Sequence, residues 1–270
     1  MTRIAVLGAS GRMGRLVIAE VLSQASLQLV SAVSGPASPA LGVDAGVLTG
    51  LPPSGVAITT ASKQAFSNAD VVIDFSLPEA LENALPLLAG LPLVSGTTGL
   101  SSSQWAQLEQ HVQTAPQLHA TNFSTGVNLL LHLVAEAARA MPGLDVEIVE
   151  SHHRLKQDAP SGTALSLAES VAHARGLDLQ SVIRHGREGR TGVRTAAEIG
   201  MHAVRGGDVV GEHTVWLLGN GERLSLAHAA SSRATFASGA VRAAQWLVGR
   251  NPGRYSMRQV LGLDRTQEPQ

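Results

Sequence analysis

Apolar and polar positions recur as a unit along the first half of the chain. Ile4-Ala5-Val6-Leu7 is a short, unbroken apolar run that stops at Gly8. Such a run marks a strand buried on both faces, as in a parallel sheet. Behind it Met13, Leu16, Val17 and Val21 fall on one face at helical spacing. Leu27 to Val33 predicts a second strand, ended by the Gly/Pro/Ser-rich stretch from Ser34 to Pro39. The unit then repeats. Val71-Val72-Ile73 stops at Asp74, and Pro78 suits the first turn of a helix running toward Ala89. Leu93-Val94 stops at Gly96-Thr97-Thr98-Gly99, and Ser101 to Ser103 can cap a helix toward Gln113. Leu118 to Ala120 reads as one more short strand. Strands alternating with helices predict an α/β fold with a Rossmann-type doubly wound parallel sheet.

The texture changes near residue 122. A long apolar helix is expected from about Val127 to Met141, then a strand from Val146 to Glu150, then a helix from Ser161 to about Arg175 stopped by Gly176. Extended stretches follow at Ala196–Val204, His213–Leu218 and Arg223–Ala229. The last two are joined by Gly219-Asn220-Gly221, a hairpin signal. This is the pattern of a second, α+β domain. A final helix, from about Phe236 to Val248, is expected to pack back on the first domain. The expected division is 1–123, completed by 234–270, and 124–233.

Composition narrows the classes. Of the 270 residues 44% are hydrophobic and 15% charged, which is globular rather than disordered. Only 3% are aromatic, so Val, Leu and Ala must fill the cores. A net charge of -1 gives no footprint for a nucleic-acid or membrane partner. The lack of cysteine excludes disulfides, thiolate metal sites and cysteine nucleophiles, and fits a reducing cytoplasm. No apolar run is long enough to span a bilayer, and Met-Thr-Arg enters a strand at once, without a signal peptide. A cytoplasmic protein is expected.

The loop from Gly8 to Gly14 spaces its glycines as G-x-x-G-x-x-G between a strand and a helix. Glycines allow a tight turn and close approach to a pyrophosphate, and the helix N-terminus offers amides and a positive dipole end. The competing reading is an ordinary strand-to-helix turn; the flanking strand and helix favour dinucleotide binding. Second strands of this kind commonly end in an acid that bonds the ribose of NAD. Here the stretch is Ala32-Val33-Ser34-Gly35, with no acid; Ser34 is the cofactor contact expected at that place, and Arg12 is available to a 2′-phosphate. NADPH is therefore expected ahead of NADH, with NADH tolerated, unless Arg12 is only a solvated charge. Asp74-Phe75-Ser76, Gly96 to Gly99 and Asn122-Phe123-Ser124 lie at the carboxyl ends of strands, where ligands bind. They are candidates to hold the nicotinamide half, against plain turn chemistry.

The densest polar stretch runs from Glu150 to Thr163. Ser161-Gly162-Thr163 opens a helix and so forms an anion site suited to a carboxylate. Lys156 adds a positive charge, and His152 or His153 can move a proton near neutral pH. Tandem histidines on a strand would face opposite ways. A metal held by His152, His153 and Asp158 is the competing reading, but no ligand spacing recurs and no metal is expected. The glycines between Arg205 and His213 read as a tight link between strands. Trp105, Trp216 and Trp246 are expected to be packing residues.

At these residues the chain resembles the 4-hydroxy-tetrahydrodipicolinate reductases, long called dihydrodipicolinate reductases, of diaminopimelate and lysine synthesis. The resemblance lies in GASGRMG from Gly8, VVIDFS from Val71, GTTG from Gly96, NFSTGVN from Asn122, ESHHRLKQDAPSGTAL from Glu150, RGGDVVGEHT from Arg205 and AHAASSRATFASGAVRAAQWL from Ala227. It implies a dinucleotide-binding domain, a substrate-binding and oligomerisation domain, a homotetramer built through the sheets of the latter, and a small ring dicarboxylate as substrate. It implies His152 as proton donor, Lys156 as catalytic lysine, and His153, Ser161, Gly162 and Thr163 as substrate contacts. It implies cofactor contacts at Gly8, Ala9, Ser10, Gly11, Arg12, Met13, Gly96, Thr97, Thr98, Ala120, Thr121, Asn122 and Phe123. Many such reductases carry an acid, often followed by arginine, where this chain has Ser34 and Gly35. Two other readings stay open at this level: another Rossmann oxidoreductase of the aspartate or homoserine dehydrogenase type, and a dinucleotide-binding regulator without turnover. The stretch from His152 to Thr163 favours the reductase over both.

Overall fold

The computed structural model describes residues 1–88 and 90–264. Ala89, and residues 265–270 of the expected C-terminal completion, lie outside the described residues. In chain order the elements are β1 (Thr2–Leu7), α1 (Arg12–Leu22), β2 (Leu27–Val33), α2 (Ala45–Leu48), β3 (Ile58–Thr59), α3 (Lys63–Phe66), β4 (Val71–Asp74), α4 (Pro78–Ala84), β5 (Leu93–Ser95), α5 (Ser102–Val112) and β6 (Pro116–His119). There follow α6 (Thr125–Ala140), β7 (Asp145–His152), α7 (Gly162–Ala174), α8 (Leu179–Val182), β8 (Ile183–His185), β9 (Ile199–Arg205), β10 (Gly211–Leu218), β11 (Arg223–Ala230), α9 (Ala234–Leu247), β12 (Gly253–Tyr255) and α10 (Met257–Val260). The chain forms two compact units, Met1–Thr125 with Ala234–Gln270, and Gly126–Arg233.

The first unit is a seven-stranded sheet in the order β12-β6-β5-β4-β1-β2-β3. Every pairing is parallel. Strand alternation splits the apolar runs between two cores. Ile4, Val6, Val71 and Ile73 face α1 and α9, while Ala5, Leu7 and Val72 join Phe66, Leu81 and Leu108 on the other side. Both faces are covered, which is why β1 and β4 read as continuous apolar runs. The direction of winding reverses between β1 and β4, so the carboxyl ends of these strands flank the switch point where open α/β sheets bind ligands. The small side chains of α9, Ala237, Ala240, Ala243 and Ala244, are all buried and bring that helix close to the sheet.

Several local expectations change. The helix from Pro78 ends at Ala84 and passes into a 3-10 turn over Leu85–Leu87. Pro86 has no N–H to continue the α-helical ladder. The strand expected at Leu118–Ala120 lies at Pro116–His119, and the stretch expected at Ala196–Val204 is a strand over Ile199–Arg205. Trp105 and Trp216 are 37% and 39% exposed and do not fill a core; Trp246 packs against one.

The second unit is a five-stranded sheet in the order β11-β10-β7-β9-β8. β7, β9 and β8 run parallel; β10 and β11 are antiparallel to their neighbours. One face packs Val146, Ile148, Ile199, Met201, Val215 and Leu217 against Leu130 and Val134 of α6 and Leu167 and Val171 of α7. Strand alternation sends Glu147, His202, Val204 and Trp216 to the opposite face. There Glu147 accepts from Arg187, Arg194 and His202, and Arg187 also pairs with Glu198. Burial would raise the Glu147 carboxyl, but these donors outweigh it and hold it at about 2.

Candidate active site

In the first unit the loop after β1 is fixed by its own backbone. The Gly8 and Ala9 amides donate to Val33 O at 2.9 Å, and Gly11 N donates to Gly8 O at 2.9 Å. Gly8 has φ +81°, and a Cβ there would sit 2.6 Å from Phe75 O. A Cβ on Gly14 would run into the Gly8 carbonyl, so α1 starts tight against the loop. Gly11 caps α1 with extended backbone and no side-chain hydrogen bond. Helix geometry leaves the first-turn amides, including those of Arg12 and Met13, without intrahelical acceptors. The bare cradle and the open helix end fit a pyrophosphate.

Ser34 follows β2 and is buried; its Oγ accepts from Ser10 N at 3.0 Å, and Ser38 Oγ donates to Ser10 Oγ at 3.1 Å. Ser34 thus braces the loop where an acid is commonly found. Arg12 is exposed and makes no ion pair among the described residues, while Arg15 donates to Ser10 O.

At the strand ends, Asp74 is fully buried. Ser76 Oγ, Ser95 Oγ and Thr97 Oγ1 donate to it at 2.6, 2.7 and 2.7 Å. Burial raises its pKa against these hydrogen bonds. Asp74 therefore ties the ends of β4 and β5 together, and the Thr97 side chain is turned inward. His119 Nε2 lies 2.8 Å from Thr97 O. Thr98 and Thr121 are exposed, Ala120 N donates to Ser95 O, and Asn122 Oδ1 accepts from Ser124 N. Phe123 is buried and meets the Phe75 ring edge to face at 5.5 Å; the bare Gly96 leaves room for Phe75.

In the second unit β7 runs on to His152, two residues further than expected. Glu150 and His152 thus share its helix-facing side. Glu150 is fully buried and bonds His152 Nδ1 at 2.6 Å, Arg205 and the Ser161 amide. Burial would raise the Glu150 carboxyl, but Arg205, His152 and Ser161 together hold it below its ordinary value. His153 N donates to Val209 O, and its carbonyl accepts from Lys156 N, a turn that brings Lys156 back. The Lys156 ammonium donates to both oxygens of Asp158, at 2.8 and 2.9 Å.

Ser161 is the N-cap of α7: its Oγ accepts from Ala164 N at 3.2 Å and lies 3.0 Å from His213 Nε2. The Ser161 side chain is buried, whereas Gly162, the first helical residue, is exposed, with Thr163 after it. The positive end of α7 therefore lies one residue beyond a cap whose amide is tied to the Glu150 carboxylate that also holds His152. Among the described residues no group of three or more His, Asp or Glu side chains is placed to hold a metal ion. No helix among them is long and apolar enough to cross a membrane.

Glu150, Arg205 and His213 are absent from the site residues expected from sequence. The signal for Glu150 was its i, i+2 spacing from His152, visible once β7 is extended. Arg205 and His213 lay within a segment whose glycines drew the structural reading.

Sequence models of dihydrodipicolinate reductase match both parts of the chain, the N-terminal model over residues 2–123 and the C-terminal model over residues 126–261. The 4-hydroxy-tetrahydrodipicolinate reductase of Alkalilimnicola ehrlichii is 51% identical over 97% of this chain and 99% of its own. That of Acinetobacter baumannii strain AYE is 47% identical over 98% of each. Among solved structures, the dipicolinate-bound dihydrodipicolinate reductase of Paenisporosarcina sp. TG-14 has a TM-score of 0.76 at 25% identity, over 95% of this chain and 97% of that one. An amine dehydrogenase of Mycobacterium smegmatis, at 15% identity and a TM-score of 0.60, shares the fold. With both models matched in order and relatives near half identical over almost the full length, the chain belongs to the dihydrodipicolinate reductase family.

Proposed function

We propose that the chain reduces 4-hydroxy-tetrahydrodipicolinate to tetrahydrodipicolinate in diaminopimelate and lysine synthesis, with NADPH preferred and NADH tolerated. As a member of its family it is an oxidoreductase that takes a nicotinamide dinucleotide and a small dicarboxylate. The observation that carries the assignment to this substrate is the segment after β7. An imidazole on a buried carboxylate, an ammonium and the N-terminus of α7 lie within one short stretch, the complement of a ring dicarboxylate that must be protonated.

Water is lost across C3 and C4, the hydroxyl from C4 and a proton from C3, and a bound nicotinamide would then supply a hydride to C4 of the conjugated imine that results. Negative charge builds toward C3 and the ring nitrogen. His152 donates the proton from Nε2, its Nδ1 being engaged by Glu150. Lys156, His153 and the amides of Gly162 and Thr163 hold a carboxylate, and Ser161 fixes the start of that helix. In the first unit Gly8 to Met13 hold the pyrophosphate. The backbones of Gly96, Thr97 and Thr98, and of Ala120 to Phe123, hold the nicotinamide half. The NADPH preference is supported by Ser34 in place of an acid and by the unpaired Arg12 nearby.

Assembly into a homotetramer through the second unit's sheet is supported by the sheet face opposite α6 and α7, where Trp216 and Val204 are exposed. The chain works in the cytoplasm without a nucleic-acid or membrane partner. Loss of absorbance at 340 nm, coupled to a dihydrodipicolinate synthase reaction and run in parallel with NADPH and NADH, tests the proposal. Oxidation should depend on the synthase product and be more efficient with NADPH. Undiminished rates in both His152→Gln and Lys156→Ala would remove the catalytic assignments.

A further inference from the structure

We propose that Glu150 is the positioning residue for His152 and that Arg205 sets how strongly it acts. The proposal rests on the reading of His152 as the proton donor.

The Glu150 carboxylate has no solvent, and each of its oxygens is used twice. Oε2 accepts from His152 Nδ1 at 2.6 Å and Arg205 Nη1 at 2.8 Å; Oε1 accepts from Arg205 Nη2 at 2.7 Å and Ser161 N at 3.1 Å. A carboxylate held by the Arg205 guanidinium and the Ser161 amide stays ionised and has no proton to give, so Nδ1 of His152 must be the donor in that bond. The exchangeable proton is thereby assigned to Nε2. A Cβ at residue 211 would stand 3.0 Å from that nitrogen, and the residue there is glycine. The ring is therefore fixed at one nitrogen and left uncrowded at the other.

The surrounding charges define the direction of each effect. Glu150 on β7 sets its negative charge against Nδ1 of His152. Arg205 on β9, in register with His152, draws on the same carboxylate and opposes it. His213 on β10 is driven toward the neutral form by burial, so it adds no competing positive charge at neutral pH. His228 on β11 is likewise shifted toward neutral by burial. Lys156 and Asp158 form a pair whose charges offset each other. The same carboxylate also holds the Ser161 amide, so the donor ring and the start of α7 share one anchor.

The test compares Glu150→Gln, Arg205→Gln and the double variant with the wild type by kcat, KM and the pH profile of kcat. The His152 ring is titrated independently by NMR of 15N-histidine-labelled protein. In E150Q kcat should fall on the order of a hundredfold with KM changed less than about threefold. The alkaline limb of its profile and the ring titration should both move to lower pH by roughly one unit. In R205Q both should move to higher pH. A residue that only supports the fold would not shift the two in opposite directions. Unmoved titrations, or shifts of the same sign in both variants, overturn the proposal. Should E150Q fail to fold, R205Q decides: an upward shift supports the proposal, and none or a downward one overturns it. Full activity in His152→Gln would instead overturn the donor reading itself. A dead H152Q beside an unmoved E150Q overturns the positioning role alone.

Discussion

The imidazoles of His152 and His213 meet edge to face with ring centroids 5.3 Å apart, and their surroundings treat them oppositely. His152 rests on a carboxylate, whereas His213 is buried beside the Ser161 hydroxyl. Burial, then the charge of His152, lowers the His213 pKa from 6.5 to about 4. Between those values the unfolded chain binds a proton that the folded chain refuses, so stability falls as pH falls through that window. Thermal unfolding should show it: the wild type should lose about 5 °C or more of Tm between about pH 7 and pH 5. His213→Gln, which does not titrate, should lose clearly less. Equal losses would clear His213 of the effect.

Gly211 begins β10 opposite Nε2 of His152, the nitrogen proposed to donate. Gly211→Ala keeps an ordinary backbone conformation but places a methyl 3.0 Å from Nε2. Steady-state kinetics should show kcat lowered about tenfold, while Tm changes by the equivalent of about 1 kcal/mol or less. A normal kcat would mean that the ring has room to turn away.

Lys156 is held by Asp158, and on the proposed role of Lys156 a substrate carboxylate would have to displace that carboxylate. Asp158 is largely exposed, so the competition is modest. Asp158→Asn should lower KM for the dicarboxylate about two- to fivefold with kcat nearly constant. A raised KM would show that Asp158 helps to present the lysine instead.

Ser34 accepts from the Ser10 amide, a bond a carboxylate can also make. Ser34→Asp should therefore keep the loop while repelling a 2′-phosphate. The ratio of kcat/KM for NADPH over NADH should drop on the order of tenfold. An unchanged ratio would place the 2′-phosphate away from Ser34.

The parallel sheet was legible because β1, β2 and β4 carry apolar residues on both faces, and because α1 repeats them at helical spacing. What escaped were α2, β3, α3, α8, β8, β12 and α10, each two to four residues long. Elements that short contain no full period to detect. The candidate site could be proposed from sequence where its residues are consecutive, from His152 to Thr163. It was not legible where side chains meet across the sheet. Glu150 finds Arg205 55 residues away, and Ser161 finds His213 52 residues away. The last turn of β7 also hid itself: its helix-facing positions switch from Val146 and Ile148 to Glu150 and His152, and the polar change reads as a loop.

The first unit draws β1 to β6 from before the second unit and α9 and β12 from after it. During translation the ribosome therefore delivers every strand of β7 to β11 before the helix that lines the core around Ile4, Val6 and Ile73. The second unit can complete its fold while one face of the first unit's sheet is still covered by α1 without α9. A nascent chain halted before Ala234 holds β1 to β11 but neither α9 nor β12, so the first unit is finished only after the last strand of the second has been made.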